Sequence, residues 1–377
     1  MKVGVGTAII TPDSMPVHLA GFGEPQVAHE VRDDLEVRAV YLEHDGNAAC
    51  LLVCDLLGMT HHFADPIRAA VGHALGLERA AVLTSSVHTH AGPSAMKGTE
   101  QLGWFIPDGY GSLLVERCTR AAVNARDEAV DGVSFRYGRW PLPAGLSVNR
   151  RGLPYEPWFS ALDVLDGAGD RVTTIANLAI HPVVLGPESR KVSSDWVGAF
   201  RLELERRAGG RAVMLQGAQG DVNPHHVHRQ GNACTRDEFA EADELGTALG
   251  EVVDGALPSA ELVPAAVSIA RHHTFDAPTG GAALARGRGE KPLPVELVEW
   301  QLGPVRLVSL PGEAFHALGN AVAARAGGRV LLAGLAPILQ GYLPMPFREG
   351  YEEETSYGEV FVSAVREALL TEAIANS

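Results

Sequence analysis

The chain lacks any apolar run near the roughly 18 residues that a membrane span needs. Its opening, Met1-Lys2-Val3-Gly4-Val5-Gly6, lacks the continuous apolar core of a secretory signal. It is poor in positive charge: 31 Lys and Arg stand against 46 Asp and Glu, a net −15 at pH 7. Phosphate backbones and anionic lipid surfaces would be repelled, which sets aside nucleic acid and membrane as partners. Cysteine is scarce, and Cys50, Cys54, Cys118 and Cys234 show no zinc-finger spacing. Cys50 and Cys54 share the apolar run Ala48 to Leu57 and read as core thiols. A reduced, cytoplasmic location is the expectation. No internal repeat is evident. The Pro- and Gly-rich stretch from Ala277 to Pro294 is the one candidate for a mobile loop or junction, so residues 1–377 read as one domain of open oligomeric state.

What is present is a core-forming chain, 46% apolar, in which short apolar runs alternate with amphipathic helical stretches. That alternation predicts an α/β fold of mixed sheets flanked by helices. Strands are expected at Glu36–Leu42, Ala48–Cys54, Ala80–Thr84, Val133–Arg139, Thr173–Ile180, Arg211–Leu215, Val295–Leu302, Val305–Leu310 and Val330–Leu335. Helices are expected at Pro66–Leu75, Gly111–Ala129, Asp195–Arg207, Arg236–Val253, Ala314–Ala326 and Glu359–Ala373, with Ser193 or Ser194 capping the one at Asp195.

The polar residues fall where these runs end. Asp55 follows Leu51-Leu52-Val53-Cys54, and His88-Thr89-His90-Ala91-Gly92-Pro93 follows the run ending at Thr84. His181 closes the run from Thr173, and Gly220-Asp221-Val222-Asn223-Pro224 follows Val213-Met214-Leu215. Glu313 and Tyr342 come after Val305–Leu310 and Val330–Leu335. If the strands run parallel, these ends share one edge of the sheet, where open α/β sheets keep their ligand crevices. Two imidazoles, a carboxylate and a phenol would meet there, a credible zinc shell. Each member also has a plain structural explanation. His181 would be a buried histidine bonded to a carbonyl, Glu313 a helix cap, Tyr342 a loop aromatic, and Asp55 and Asp221 turn formers or supports that orient histidines. Their joint occurrence at strand ends favours the site. The cluster His225-His226-Val227-His228 lacks a carboxylate at fixed spacing and reads as a solvated loop. The pair His61-His62, after Met59-Thr60, reads as a helix-leading surface pair, and His272-His273, in a polar-alternating segment, carries no clear signal.

In motif order the chain resembles the catalytic domain of the neutral ceramidases, zinc-dependent amidases of N-acyl sphingosine. The elements that carry the resemblance are Gly4-Val5-Gly6-Thr7-Ala8-Ile9-Ile10-Thr11-Pro12, Asp33-Asp34-Leu35-Glu36-Val37-Arg38-Ala39, Asp55-Leu56-Leu57-Gly58 and His88 to Pro93. Val148-Asn149-Arg150, His181-Pro182, Gly220 to Pro224, Pro311-Gly312-Glu313 and Gly341-Tyr342 continue it. The resemblance implies one zinc ion per chain held by His88, His181, Glu313 and Tyr342, with His90 and Arg150 lining the substrate pocket. A second metal at Asp55, His90 and Asp221 stays open.

Two departures qualify what the resemblance implies. The family's Gly-Asp-Val motif continues with a serine, where this chain has Asn223, so no hydroxyl nucleophile is available there. The chain also ends about 35 residues after Tyr342, which leaves no room for the family's C-terminal β-sandwich. The expectation is a zinc-dependent hydrolase that cleaves a small-molecule amide, smaller or more polar than ceramide, by metal-activated water. His90 would move protons, Asn223 and Asp221 would assist, Asp55 and Asp221 would support the ligands, and Arg150 would clamp a substrate carboxylate. An esterase, an acyl transferase and a non-catalytic metal-binding protein are the alternatives.

Overall fold

The computed structural model describes residues 1–23, 25–225 and 237–371. His226, His228 and Cys234 lie outside them. Three sheets follow one plan. In the first, β1 (Lys2–Ile9), β2 (Glu36–His44) and β3 (Asn47–Cys54) pair antiparallel, and β4 (Val82–Ser86) joins β3 in parallel. In the second, β5 (Ser134–Pro141), β6 (Trp158–Leu165) and β7 (Arg171–Leu178) are antiparallel, and β8 (Arg211–Gln216) lies parallel to β7. In the third, β9 (Ser268–Ala277), β10 (Leu293–Leu302) and β11 (Val305–Leu310) are antiparallel, and β12 (Val330–Gly334) lies parallel to β11.

A parallel pair needs a crossover. Helix α1 (His61–Leu75) carries the chain from β3 to β4, and α2 (Tyr110–Asp127) packs on β1 and β2. Helix α3 (Trp196–Ala208) connects β7 to β8 and lies against α4 (Glu238–Ala256). Helix α5 (His316–Arg325) connects β11 to β12 and meets α6 (Glu359–Leu370). The chain therefore repeats an antiparallel set closed by one βαβ crossover three times, although its sequence shows no repeat. Backbone pairing and burial define the unit, and many unrelated apolar sequences satisfy both.

Strands β4, β8 and β12, the parallel edge of each sheet, pack against one another. They are buried along nearly their whole length, as strands covered on both faces are. Buried polar side chains stitch these edges. Asn177 donates to the carbonyls of Leu215 and Leu332, both at 2.9 Å. Gln216 donates to those of Val87 (2.9 Å) and Ile180 (3.0 Å), and the Ser85 hydroxyl donates to Gly334 O at 2.8 Å. The carboxyl ends of three parallel pairs are thereby fixed beside one another.

The strands and helices expected from periodicity are present within a few residues. Strands β1, β6 and β9 were not expected. Gly4 and Gly6 weaken the strand pattern of β1, and β9 exposes one face, so it reads as polar. The stretch after Ala277 holds a helical turn, Ala283–Gly287, whose Arg286 pairs with Glu354 at 2.9 Å. The cap of α3 is Asp195, which accepts from Trp196 N at 2.7 Å, in place of either preceding serine. Cys50, Cys54 and Cys118 are buried free thiols.

Asp55, just beyond β3, is fully buried. Its two oxygens take the Arg201 guanidinium of α3 at 2.7 and 2.6 Å, and one also accepts from Glu36 N at 2.9 Å. This fork ties the first sheet to the crossover helix of the second. Removing one partner of such a pair strands a buried charge. Arg201→Met is expected to lower unfolding stability by about 3–5 kcal/mol in urea titration, a loss expected of a fully desolvated pair and not of a solvent-screened one.

Candidate metal centre

The centre lies where the three parallel pairs end. His88 comes two residues after β4 and His181 three residues after β7. Glu313 follows β11 and pairs in register with Tyr342 in the short parallel ribbon of Glu313–Ala314 with Tyr342–Leu343. All four are buried.

The imidazoles are held from behind. His88 Nδ1 donates to Leu57 O at 2.6 Å, and His181 Nδ1 donates to Val222 O at 3.1 Å. Those bonds place the proton on Nδ1 and leave a lone pair on Nε2. Both Nε2 atoms face one carboxylate oxygen, Glu313 Oε2, at 3.2 Å from His88 and 3.1 Å from His181. Two nitrogen lone pairs and a carboxylate oxygen repel one another unless a cation sits between them. Burial, aided by Arg150 and His88, lowers the His181 pKa to about 4 against the pull of Glu313, so the imidazole is neutral at physiological pH. For Glu313 burial works toward the acid, but the facing imidazoles hold its pKa well below the usual range. A neutral imidazole at His181 and an ionised carboxylate at Glu313 are protonation states that suit a metal ion.

His90 completes a triad. The donor atoms of His88, His90 and His181 lie within 4.8 Å of one another, and among the described residues no other group of three His, Cys, Asp or Glu does so. Both His90 ring nitrogens are buried without a hydrogen-bond partner, and burial together with the two neighbouring imidazoles keeps its pKa well below the ordinary value. The ring is edge-on to Phe22, with centroids 4.9 Å apart. It also fills the space beside Gly21, where a Cβ would lie 2.4 Å from His90 Nδ1 and the φ of +126° suits glycine. His88 itself has φ +76°, a strained conformation for a side-chain-bearing residue, of a kind that concentrates at functional sites.

The turn from Gly220 to Pro224 ties these parts together. Gly220 N donates to Ala314 O at 2.8 Å, and His181 N donates to Val222 O at 3.0 Å. At Gly220 a Cβ would lie 2.4 Å from Glu313 O, so only glycine fits against that strand. Asp221 accepts from His316 N at 2.7 Å and from Asn149 Nδ2 at 2.6 Å. Its carboxylate therefore caps α5, three residues after Glu313, and supports the carboxylate ligand's strand. Asp55 likewise serves Arg201 and Glu36, and neither aspartate joins His90 in a second metal group. Asn223 is half-buried, and its Oδ1 accepts from Arg150 Nη1 at 3.4 Å.

Arg150 is engaged on several sides. It donates to Glu352 Oε1 at 3.0 Å, to Gly220 O at 2.7 Å and to Tyr342 Oη at 3.2 Å. Burial opposes its charge, but the Tyr342 oxygen, Glu352 and Glu313 outweigh that and raise its pKa. Burial and Glu313 in turn push the Tyr342 phenol well up. Phe22 and Glu352 are site neighbours that the sequence reading missed. The run Arg150-Arg151 against Glu352-Glu353 was the available signal for the second. The other histidine pairs lie elsewhere: His61 is 3.5 Å from Asp65, and His272 is 2.9 Å from Glu296. His225 N donates to Leu146 O at 3.2 Å.

Mixed sheets closed by βαβ crossovers, with imidazoles and a carboxylate gathered at the crossover ends, define the class: an α/β fold with a buried metal-type centre. The particular fold is that of the neutral ceramidases. The chain superposes on neutral ceramidase from Pseudomonas aeruginosa with a TM-score of 0.82, at 18% identity, over 98% of this chain and 73% of that one. It superposes on a ceramidase structure described as complexed with C2 with a TM-score of 0.81, at 17% identity, over 100% and 77% of the two chains. No family model matches the sequence, and no curated protein matches it. Among the described residues, no helix is long and apolar enough to cross a membrane.

The neutral state of His181 has a consequence for metal-free protein. The unfolded chain takes up a proton near pH 6.5, while the folded chain resists until about 4. The stability this provides is complete above pH 6.5 and is lost as pH falls toward 4, by about 3 kcal/mol at one pKa unit per 1.36 kcal/mol. The urea midpoint of the metal-free protein should therefore fall more between pH 7.5 and 4.5 than that of His181→Phe. Parallel behaviour of the two proteins would contradict a depressed His181 pKa.

Proposed function

We propose that this chain is a zinc-dependent hydrolase that cleaves an amide bond in a small molecule. One observation carries the reading: two imidazole lone pairs and an ionised carboxylate face a common point, an arrangement that a cation satisfies. The shared fold with proteins named as ceramidases supports amide cleavage as the chemistry. His88 and His181 through Nε2, Glu313 through Oε2 and Tyr342 through its phenol oxygen would hold the ion. A zinc ion there supplies a Lewis acid that polarises a carbonyl and lowers the pKa of a water towards about 7.

The chain's own groups supply the rest. His90, with both ring nitrogens free of protein partners, accepts a proton as water attacks and returns it to the departing nitrogen. Its low basicity makes the return to an amine favourable. Asn223 offers no nucleophile. Arg150 donates to its carbonyl oxygen at 3.4 Å, and its amide N–H groups would serve as donors for an oxyanion. Hydrolysis then proceeds by direct addition of water, without an acyl-enzyme. Ester cleavage and acyl transfer to an amine would use the same residues.

Purified protein should contain one zinc per chain by mass spectrometry, and His88→Ala or His181→Ala should lose both metal and turnover. His90→Ala should keep its zinc and lose about 10²- to 10⁴-fold in kcat. Loss of zinc there would instead make His90 a ligand, the reading that the three-imidazole grouping favours. A panel running from N-acetyl amino acids to N-acyl sphingosine, with matched esters, defines the substrate, and cleavage of esters alone would remove the amidase assignment. Asn223→Ser should impair turnover. Full activity of metal-free protein would overturn the metal requirement.

A further inference from the structure

We propose that Glu352 is a positioning residue of this site, acting through Arg150, and that Arg150 organises the site in place of clamping a substrate carboxylate. The inference rests on the hydrolase reading above. A guanidinium has five N–H groups, and four of those of Arg150 are directed at protein acceptors. Nε bonds Glu352 Oε1, which also lies 3.0 Å from Nη2, Nη1 reaches Asn223 Oδ1, and Nη2 serves both Gly220 O and Tyr342 Oη. A bidentate carboxylate clamp needs two parallel N–H groups on one edge, and neither edge of Arg150 has both free. What it does contact is the carbonyl of the hub turn, the phenol beside Glu313 and the amide at position 223. Its charge centre lies 5.6 Å from the Tyr342 ring centroid.

Glu352 sets this arrangement from the far side. Its side chain is almost fully buried, with 6% of its surface exposed, although it sits on a one-turn helix at Tyr351–Glu354. One oxygen takes Arg150, and the other takes Arg151 in a close ion pair. Arg151 also bonds Glu353 at 3.0 Å, so two adjacent arginines and two adjacent glutamates form a clasp between the strand Ser147–Asn149 and the segment that follows Tyr342. Without Glu352 the guanidinium loses its anionic partner and the bond that fixes its Nε, so Tyr342 and Asn223 lose a shared constraint. Displacement of reacting groups by about 1 Å costs on the order of 10²-fold in rate.

The test compares Glu352→Ala, Glu352→Gln and Arg151→Met in the full chain. Positioning predicts that Glu352→Ala lowers kcat about 10- to 100-fold with KM within about threefold. Glu352→Gln, which keeps an acceptor for Nε, should recover part of that loss, and Arg151→Met, which frees the other Glu352 oxygen but leaves its bond to Arg150, should lose less kcat than Glu352→Ala. A second readout needs no turnover. In ¹⁵N-arginine-labelled metal-free protein, the Arg150 Nε–H resonance, assigned by its loss in Arg150→Lys, should be protected from exchange in the parent and broadened or exchanging in Glu352→Ala. A raised KM at unchanged kcat, equal kcat losses in Glu352→Ala and Arg151→Met, or an unaltered Arg150 resonance would each overturn the proposal. If the parent neither binds zinc nor turns over any amide, the hydrolase reading fails, and the resonance alone decides whether Glu352 holds Arg150.

Discussion

The structure depends on the buried amide side chains that join its three sheets. Asn177 and Gln216 each bridge two carbonyls of neighbouring segments, and all four of those carbonyls are at the parallel edges or just beyond them. Buried amides left unpaired would cost more than their bonds provide, so the edges have one favourable alignment. That alignment places the carboxyl ends of β4, β7, β8, β11 and β12 together. A donor group placed a few residues past any of these strands arrives near the same point.

The turn at Gly220 then converts convergence into geometry. It touches the strand of Glu313 through Gly220 N, the imidazole of His181 through Val222 O, and the first turn of α5 through the Asp221 carboxylate. Arg150 closes the arrangement, since its own N–H donates to Asp221 O at 2.9 Å while its guanidinium reaches Gly220 O. A single turn thus orients two of the prospective ligands and the arginine beside a third. The absence of a hydroxyl at Asn223 changes the chemistry available there without changing this role, because the orienting contacts come mainly from backbone atoms and Asp221.

The convergence of the candidate centre was legible because parallel pairs bring the residues that follow their strands to one edge. Asp55, His88, His181 and Glu313 all follow apolar runs that are strands in the structure, and periodicity finds such runs well. The roles of the aspartates were not legible. Asp55 belongs to Arg201 and Asp221 to the amide of His316, partnerships set by how α3 and α5 approach the sheets. Strand β9 escaped notice because its pattern reflects an exposed face. The clasp of Arg150-Arg151 with Glu352-Glu353 was written in the sequence as opposite charge doublets, but 202 residues separate the partners and nothing local relates them.

The separation of the donors along the chain determines what a metal ion can do for this protein. His181 and Glu313 are 132 residues apart, and each is delivered by a different sheet of a shared core. Gathering such ligands from a disordered chain would carry the closure entropy of a loop of that length and the ordering of every residue between, a cost that the folded sheets have already met. In small zinc modules, where ligands are a few residues apart, binding and folding are one event. Here the order is reversed. If an ion binds here, the polypeptide assembles first and receives it as a guest, so apo and loaded forms should share one architecture and exchange of the ion need not pass through unfolding.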